Sequence, residues 1–193
     1  MTDRKRHFER LYRREQDPWG FETSPYENRK YAATLASLPR RRYAACLEVG
    51  CSIGVLSQRL ALRCERFLGI DLAADAVARA RARAYPGGNA DFRVAEVPRQ
   101  WPSGRYDLIV LSEVLYYLSP AEIGEVVALV ARDLAPCGNC LLVNWLGATG
   151  TALSGDDAVG CFEAAFGSAA PLHATMRRRE PTYRIDLFSA PPD

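Results

Sequence analysis

The residues best suited to chemistry follow one another at the ends of predicted strands. Glu48, Gly50, Cys51, Ser52 and Gly54 lie in EVGCSIGVLS; Asp71 closes FLGID, 21 positions after Gly50; Glu96 and Val97 follow ADFRVA; Ser112 and Glu113 follow YDLIVL. Two glycines four apart allow a tight turn and a close approach of backbone to ligand. An acidic residue about twenty positions later, at the end of a second strand, can accept hydrogen bonds from both hydroxyls of a ribose. Glu48 narrows the chemistry further. A dinucleotide would bring a pyrophosphate to this turn and would need N–H groups at a helix N-terminus. A carboxylate there repels phosphate and attracts an ammonium or sulfonium. Acidic residues after three successive strands therefore point to a positively charged nucleoside. Neither the two glycines nor Asp71 would suffice alone, since an ordinary βα turn or a helix cap uses the same residues. Their joint spacing, followed by an apolar fourth strand, carries the inference.

The elements that must hold these residues alternate. Thr2 to Arg14 is charged and predicted helical. A loop follows with Trp19 and Phe21, then a helix over Ser24 to Leu38, where Ser24 can cap and Pro25 suits the first helical position. Strands are predicted at 44–49, RFLGIDL, ADFRVAEV, YDLIVLSEV and NCLLVNWL, with helices at 55–62, 73–84, 120–134 and 156–166. YDLIVLSEV is nearly continuously apolar, as a central parallel strand should be. Ser119 and Glu122 form a candidate capping box. HATMRRRE and YRIDLFSA read as two terminal strands joined at Glu180-Pro181. This order predicts an α/β, Rossmann-like fold: a seven-stranded, mostly parallel sheet with helices on both faces and an antiparallel C-terminal edge strand. It is expected to be a single domain over 1–193, with an N-terminal helical lid over 1–40, a core over 41–145 and a C-terminal helix and hairpin over 146–193.

Composition sets the remaining bounds. The chain has 193 residues, 48% hydrophobic, with 25 basic and 23 acidic residues and a net charge of +2. That balance argues against a nucleic-acid or acidic-membrane partner. The N-terminus is charged without an apolar core, and no apolar run approaches the ~18 residues of a membrane span. A soluble, cytoplasmic protein with six reduced cysteines is expected. Cys137 and Cys140 form an isolated C-x-x-C in what reads as a turn entering a strand. With only His7 and His173 to supplement it, no metal site is expected.

LEVGCSIGVLS, GIDL, YDLIVLSEVLYYL and LAPCGNCLLV resemble the ordered motifs of class I S-adenosylmethionine-dependent methyltransferases. DPWGFETSPYENRKYAATL, EVGCSIGVLS and SEVLYYL narrow the resemblance to the nodulation protein S (NodS) branch. It extends from residue 17 to about 145; the last fifty residues fit only the general fold. The resemblance implies that S-adenosyl-L-methionine is the cofactor and S-adenosyl-L-homocysteine the product. Glu48, Gly50, Cys51, Ser52 and Gly54 would line its methionine part. Asp71 would bind the ribose, with Leu72 beside the adenine, and Glu96 and Val97 would meet the adenine edge. Ser112 and Glu113 would sit beneath the methyl donor. Two departures stand out: Glu96 replaces an aspartate common in relatives, and CGNC replaces a glycine pair.

Methyl transfer from a sulfonium is an in-line displacement, so the protein must chiefly align the reactants and exclude water. A hydroxyl or ammonium acceptor must also lose a proton. The candidates for receiving it are Glu113, ranked first at its strand end, then His173, Tyr117 and Tyr116. Trp19, Tyr26, Arg29 and Lys30 are expected in a lid and acceptor wall, with Trp19, Tyr26 and Arg29 touching the cofactor. The branch implies a small, carbohydrate-type acceptor, N-methylated on an amino sugar in its best-known member; O- and N-methylation both remain open from the residues. A monomer or homodimer fits equally. An NAD-dependent reductase is the alternative that Glu48 and the lack of a Tyr-x-x-x-Lys pair oppose, and a cofactor-binding protein without turnover is the other.

Overall fold

The computed structural model describes residues 2–169 and 172–192. Contacts divide the chain into two compact units, Met1–Glu96 and Val97–Asp193.

The first unit runs α1 (Asp3–Arg14), α2 (Pro25–Ala36), β1 (Tyr43–Val49), α3 (Val55–Ala61), β2 (Cys64–Asp71), α4 (Ala74–Ala82) and β3 (Ala90–Val94). β1 pairs in parallel with β2, from Tyr43 opposite Cys64 to Val49 opposite Ile70. β2 pairs in parallel with β3, ending with Asp71 opposite Val94. These ladders bring Val49, Asp71 and Val94 to one end of the three strands. Cys46, Leu47, Leu60, Ile70, Val77 and Phe92 form the core. The helix starts follow their cap chemistry: Thr2 Oγ1 accepts the Lys5 N–H at 3.1 Å, and Ser24 Oγ accepts the Glu27 N–H at 3.3 Å ahead of Pro25. α1 is charged except for one apolar side, where Phe8 and Tyr12, four residues apart, are buried. Arg79 donates to the carbonyls of Tyr12 and Gln16 and so ties α1 to α4.

The second unit runs β4 (Tyr106–Ser112), a 3-10 turn (Leu115–Tyr117), α5 (Pro120–Asp133), β5 (Leu134–Trp145), α6 (Gly155–Ala169), β6 (His173–Arg179) and β7 (Tyr183–Ser189). The capping box at α5 is complete: Glu122 N donates to Ser119 Oγ at 3.2 Å and Ser119 N to Glu122 Oε2 at 2.9 Å. β4 and β5 are parallel, and β7 pairs antiparallel with both β5 and β6. Phe162 and Phe166 of α6 pack their rings on Phe188 of β7. Asp156, at the start of α6, accepts from Arg179 and Arg184, while Arg184 also forks onto the fully buried Asp186 at 2.8 Å.

The seven strands, their mixed directions and their alternation with helices are those of the expected α/β class. The details differ in three places. β7, the antiparallel strand, lies between β5 and β6, so the edge strand of this unit is β6 and not the last strand. β3 stops at Val94, and Ala95-Glu96-Val97 lie beyond it, ahead of Pro98, which has no N–H to donate. β5 starts at Leu134, so the C-x-x-C lies inside the strand, at a register irregularity. Cys137 is exposed there in the left-handed region at φ +55°, while Cys140 is buried, and all six cysteines are free thiols. Among the described residues, no helix is long and apolar enough to cross a membrane, and no group of three His, Cys, Asp or Glu could hold a metal ion.

Candidate active site

In the first unit the candidate residues converge on the turn after β1. Gly50 and Cys51 N–H groups both donate to the Ile70 carbonyl, at 2.9 and 3.0 Å, which lashes the turn to β2. Gly50 and Gly54 each have φ +82°, where a side chain is unfavourable. A Cβ on Gly54 would also lie 2.7 Å from the Tyr85 hydroxyl and 3.0 Å from the Ala80 backbone, so α4 closes against the turn only because that position has no side chain. Ser52 takes φ +50° in place of a third glycine. Its N–H donates to Asp71 Oδ2 at 3.0 Å, and its hydroxyl pairs with the Tyr12 hydroxyl at 2.5 Å. Asp71 Oδ1 also accepts the Ala73 N–H at 2.9 Å. Burial raises the Asp71 pKa, and the N–H groups of Ala73, Ser52 and Leu72 oppose that shift.

Glu48 is 1% exposed. Its carboxyl accepts one side-chain hydrogen bond, from the buried hydroxyl of Ser57 on α3. Burial pushes its pKa up to about 8; the Ser57 bond lowers it and the nearby Asp71 raises it. Burial, reinforced by Asp71 and Glu48, likewise holds the Cys51 thiol protonated, so it is no nucleophile. Glu96 is buried, and its carboxylate accepts from the Thr2 hydroxyl at 2.5 Å and pairs with Arg4 at 3.3 Å. Val97, the next residue, is buried; Leu72 is half-buried.

In the second unit the candidates converge on Glu113. It follows β4 with φ +57°, a left-handed conformation uncommon for a residue with a long side chain. Its N–H donates to the Val143 carbonyl at 2.8 Å, which couples the turn to β5. Its Oε2 accepts the Tyr116 hydroxyl at 2.8 Å and the Trp145 backbone N–H at 2.7 Å. Ser112 is half-buried immediately before it. Tyr116 and Tyr117 rings lie 4.7 Å apart. Burial first, and the Glu113 carboxylate second, push the Tyr117 pKa upward, so its phenol holds its proton and is a poor base. The Trp145 indole rests over Gly147, where a Cβ would collide with Nε1. Asn144 is fully buried, and neither atom of its amide has a hydrogen-bond partner among the described residues.

Several expected residues are placed elsewhere. His173 is exposed at the start of β6, in register with Ser189, which pairs with Asn139. Glu113 belongs with Val143 to Trp145, six residues further along β5, or roughly 20 Å at the strand rise. His173 therefore cannot serve a group held by Glu113. Arg29 is exposed on α2, and Lys30 is instead buried, 3.1 Å from Glu27 and 5.4 Å from the Tyr26 ring centre. Tyr26 is half-buried. Trp19 is 41% exposed, stacked on Phe21 at 5.4 Å and edge-on to Tyr12 at 5.7 Å. Nothing in the chain's spacing points to a role for Tyr12, Thr2, Arg4 or Ser57, and Asn144 and Trp145 stand out only as the end of the fifth predicted strand. Phe8, Leu11 and Tyr12, at helical spacing on an otherwise polar helix, are the one signal that α1 buries a face.

Residues 4–137 match the model of the family described as Nodulation protein S (NodS). The chain belongs to the NodS family. It is 37% identical over 125 residues to Nodulation protein S of Rhizobium tropici, an alignment covering 64% of this chain and 52% of that protein. Over 123 residues it is 36% identical to Nodulation protein S of Bradyrhizobium diazoefficiens, covering 61% and 59%. It thus spans about half the length of the curated NodS relatives it matches. Among solved structures, N-methyltransferase NodS from Bradyrhizobium japonicum in complex with S-adenosyl-L-homocysteine is similar at TM-score 0.83 and 22% identity, over 98% of this chain and 100% of that one. A protein of Pseudomonas syringae described as a candidate methyltransferase is similar at TM-score 0.70 and 35% identity, over 85% and 98%. The structural likeness to NodS shows that the chain has its fold.

Proposed function

We propose that this NodS-family chain is an S-adenosylmethionine-dependent methyltransferase that N-methylates the amino group of a small, carbohydrate-type acceptor. The observation that carries the reading is Glu48: a buried carboxyl beside Asp71, at a glycine turn, with a neutral hydroxyl as its hydrogen-bond partner. Such a site disfavours pyrophosphate and favours a cation, which separates this reading from a nicotinamide enzyme. The residues present fit the cofactor. Glu48 and the turn 50–54 would hold its amino-acid part, Asp71 its ribose hydroxyls, and Leu72, Glu96 and Val97 its adenine. Trp19 and Tyr26 would cover it.

The cofactor supplies an activated methyl group on a sulfonium. The chain's own task is then to bind, orient and keep water away. Glu113 is assigned the acceptor: its carboxylate, fixed by Tyr116 and the Trp145 N–H, can accept an N–H of the acceptor amine and take the proton released. Half-buried Tyr117 and Trp145 provide apolar faces of the kind that sugars stack on. Ser112 is assigned to the donor side of the same role. Support for an amine over a hydroxyl comes from the NodS relationship and from the charge of Glu113, which suits an ammonium. Six free cysteines suit a reducing, cytoplasmic setting.

The test is transfer of labelled methyl from S-adenosylmethionine to a panel of amino sugars and their N-acetylated counterparts, read by mass. The reading expects a one-methyl gain on free amines alone. Methylation of the N-acetylated sugars instead would refute the N-specificity, and no transfer to any acceptor would refute the acceptor class.

A further inference from the structure

We propose that Glu48 carries a proton in the cofactor-free protein and releases it to solvent as the ammonium of the cofactor's amino-acid part binds, exchanging one proton for one cation. The inference rests on the cofactor reading above and extends it to the thermodynamics of that site.

The geometry supplies the reason. Glu48 is held near the end of β1 against Ser57 of α3, with 1% of its surface exposed. An ionised carboxylate in such a place needs a cation or several N–H donors. Ser57 offers a single hydroxyl, which can serve either charge state by donating to a carboxylate or to the carbonyl oxygen of the acid. Among the described residues of the first unit, the titratable groups that act on Glu48 or are acted on by it are Asp71 of β2, Cys51 of the turn and Tyr85 beyond α4. None is a cation, and Asp71 adds a second negative charge. Arg83, whose charge acts on Tyr85, is committed to the Ile53 carbonyl, Gln58 and Glu22. The site therefore lacks one positive charge when no ligand is bound. A proton on Glu48 supplies the balance, and an arriving ammonium replaces it. Asp71 differs: its backbone N–H donors from Ser52 and Ala73 are already in place.

The sign follows from burial. Burial pushes the Glu48 carboxyl from its ordinary 4.5 up to about 8. Binding that favours the ionised form must therefore tighten as pH rises toward 8 and level off above it. The slope approaches a factor of about ten per pH unit.

Isothermal titration calorimetry with S-adenosylhomocysteine tests this, run at about pH 6.5 in two buffers of different ionisation enthalpy. The expected result is release of close to one proton per bound ligand, with affinity rising steeply from about pH 6 to about pH 8. Glu48→Gln, which keeps an acceptor for Ser57, should bind with no release from this site and a flat profile. Tight binding by the wild-type protein without proton release would overturn the proposal and leave the cofactor reading intact. No binding at all would overturn the cofactor reading. If Glu48→Gln does not fold, as circular dichroism would show, the wild-type proton count decides alone.

Discussion

Replacing Gly54 by alanine tests the architecture of the turn, because the structure separates the two costs involved. At φ +82° a Cβ meets the left-handed penalty, about 1–2 kcal/mol. The new methyl would also stand 3.0 Å from the Ala80 backbone of α4, which cannot move without breaking its helix, and 2.7 Å from the Tyr85 hydroxyl, which can swing away. Overpacking of this kind costs about 1–3 kcal/mol, and the stiffer unfolded chain returns about 0.4–1. The net expectation is a loss of about 1–5 kcal/mol. For a chain of this size that lowers the melting temperature by about 2–20 °C. Two reference variants sharpen the test. Gly20→Ala has φ +66° with nothing within 4 Å of the new carbon, so it should pay the backbone penalty alone. Gly160→Ala, exposed on α6 with open space around it, should be neutral or stabilising by up to about 1 kcal/mol. Differential scanning calorimetry of the three should rank Gly160→Ala above Gly20→Ala and Gly54→Ala lowest. A Gly54→Ala variant as stable as Gly20→Ala would refute the tight closure of α4 on the turn.

Other outcomes follow from the same structure. Glu113→Gln removes the charge while retaining an oxygen for Tyr116 or the Trp145 N–H. Steady-state kinetics should show kcat lower by about a hundredfold with cofactor affinity unchanged, and an unaltered kcat would remove Glu113 from its role. Asn144→Leu replaces a buried amide that has no partner among the described residues with a side chain of similar size. Urea unfolding should show a gain of about 1–2 kcal/mol, and a loss would mean that the amide is satisfied in solution. Because Glu48 is raised in the folded protein, its contribution is fully present below about pH 4.5 and is lost as pH rises through about 8. Cofactor-free protein should lose up to about 1.4 kcal/mol per pH unit across that window, a slope absent from Glu48→Gln in the same unfolding series. On the acid side Asp156, lowered to about 2 by Arg179 and then Arg184, acts oppositely: its contribution is lost as pH falls from about 3.8 toward 2.

Local physics was legible in the sequence, and long-range pairing was not. The run YDLIVLS is apolar on both faces and became a buried parallel strand. Ser119 with Glu122, and Ser24 ahead of Pro25, marked helix starts because capping is a contact between residues three apart. The position of β7 between β5 and β6 depends on which strands pair, and no local pattern encodes that. The same limit explains His173. Its place at the start of β6 was foreseen, but its distance from Glu113 follows from register across two antiparallel ladders. Arg29 and Lys30, expected together in the lid and acceptor wall, are exposed and buried respectively, because a helix turns about 100° per residue. The links from Tyr12 to Ser52 and from Thr2 to Glu96 span 40 and 94 residues. Spacing along the chain carries no trace of them.

The central claim is that the turn after β1, with Asp71, holds S-adenosylmethionine. Calorimetric titration of the wild-type protein and of Asp71→Ala with this cofactor addresses it directly. The account predicts one saturable site in the wild-type protein, weakened about tenfold or more in the variant, as expected for loss of hydrogen bonds to a ribose. An Asp71→Ala variant that remains folded and binds with unchanged affinity would contradict it.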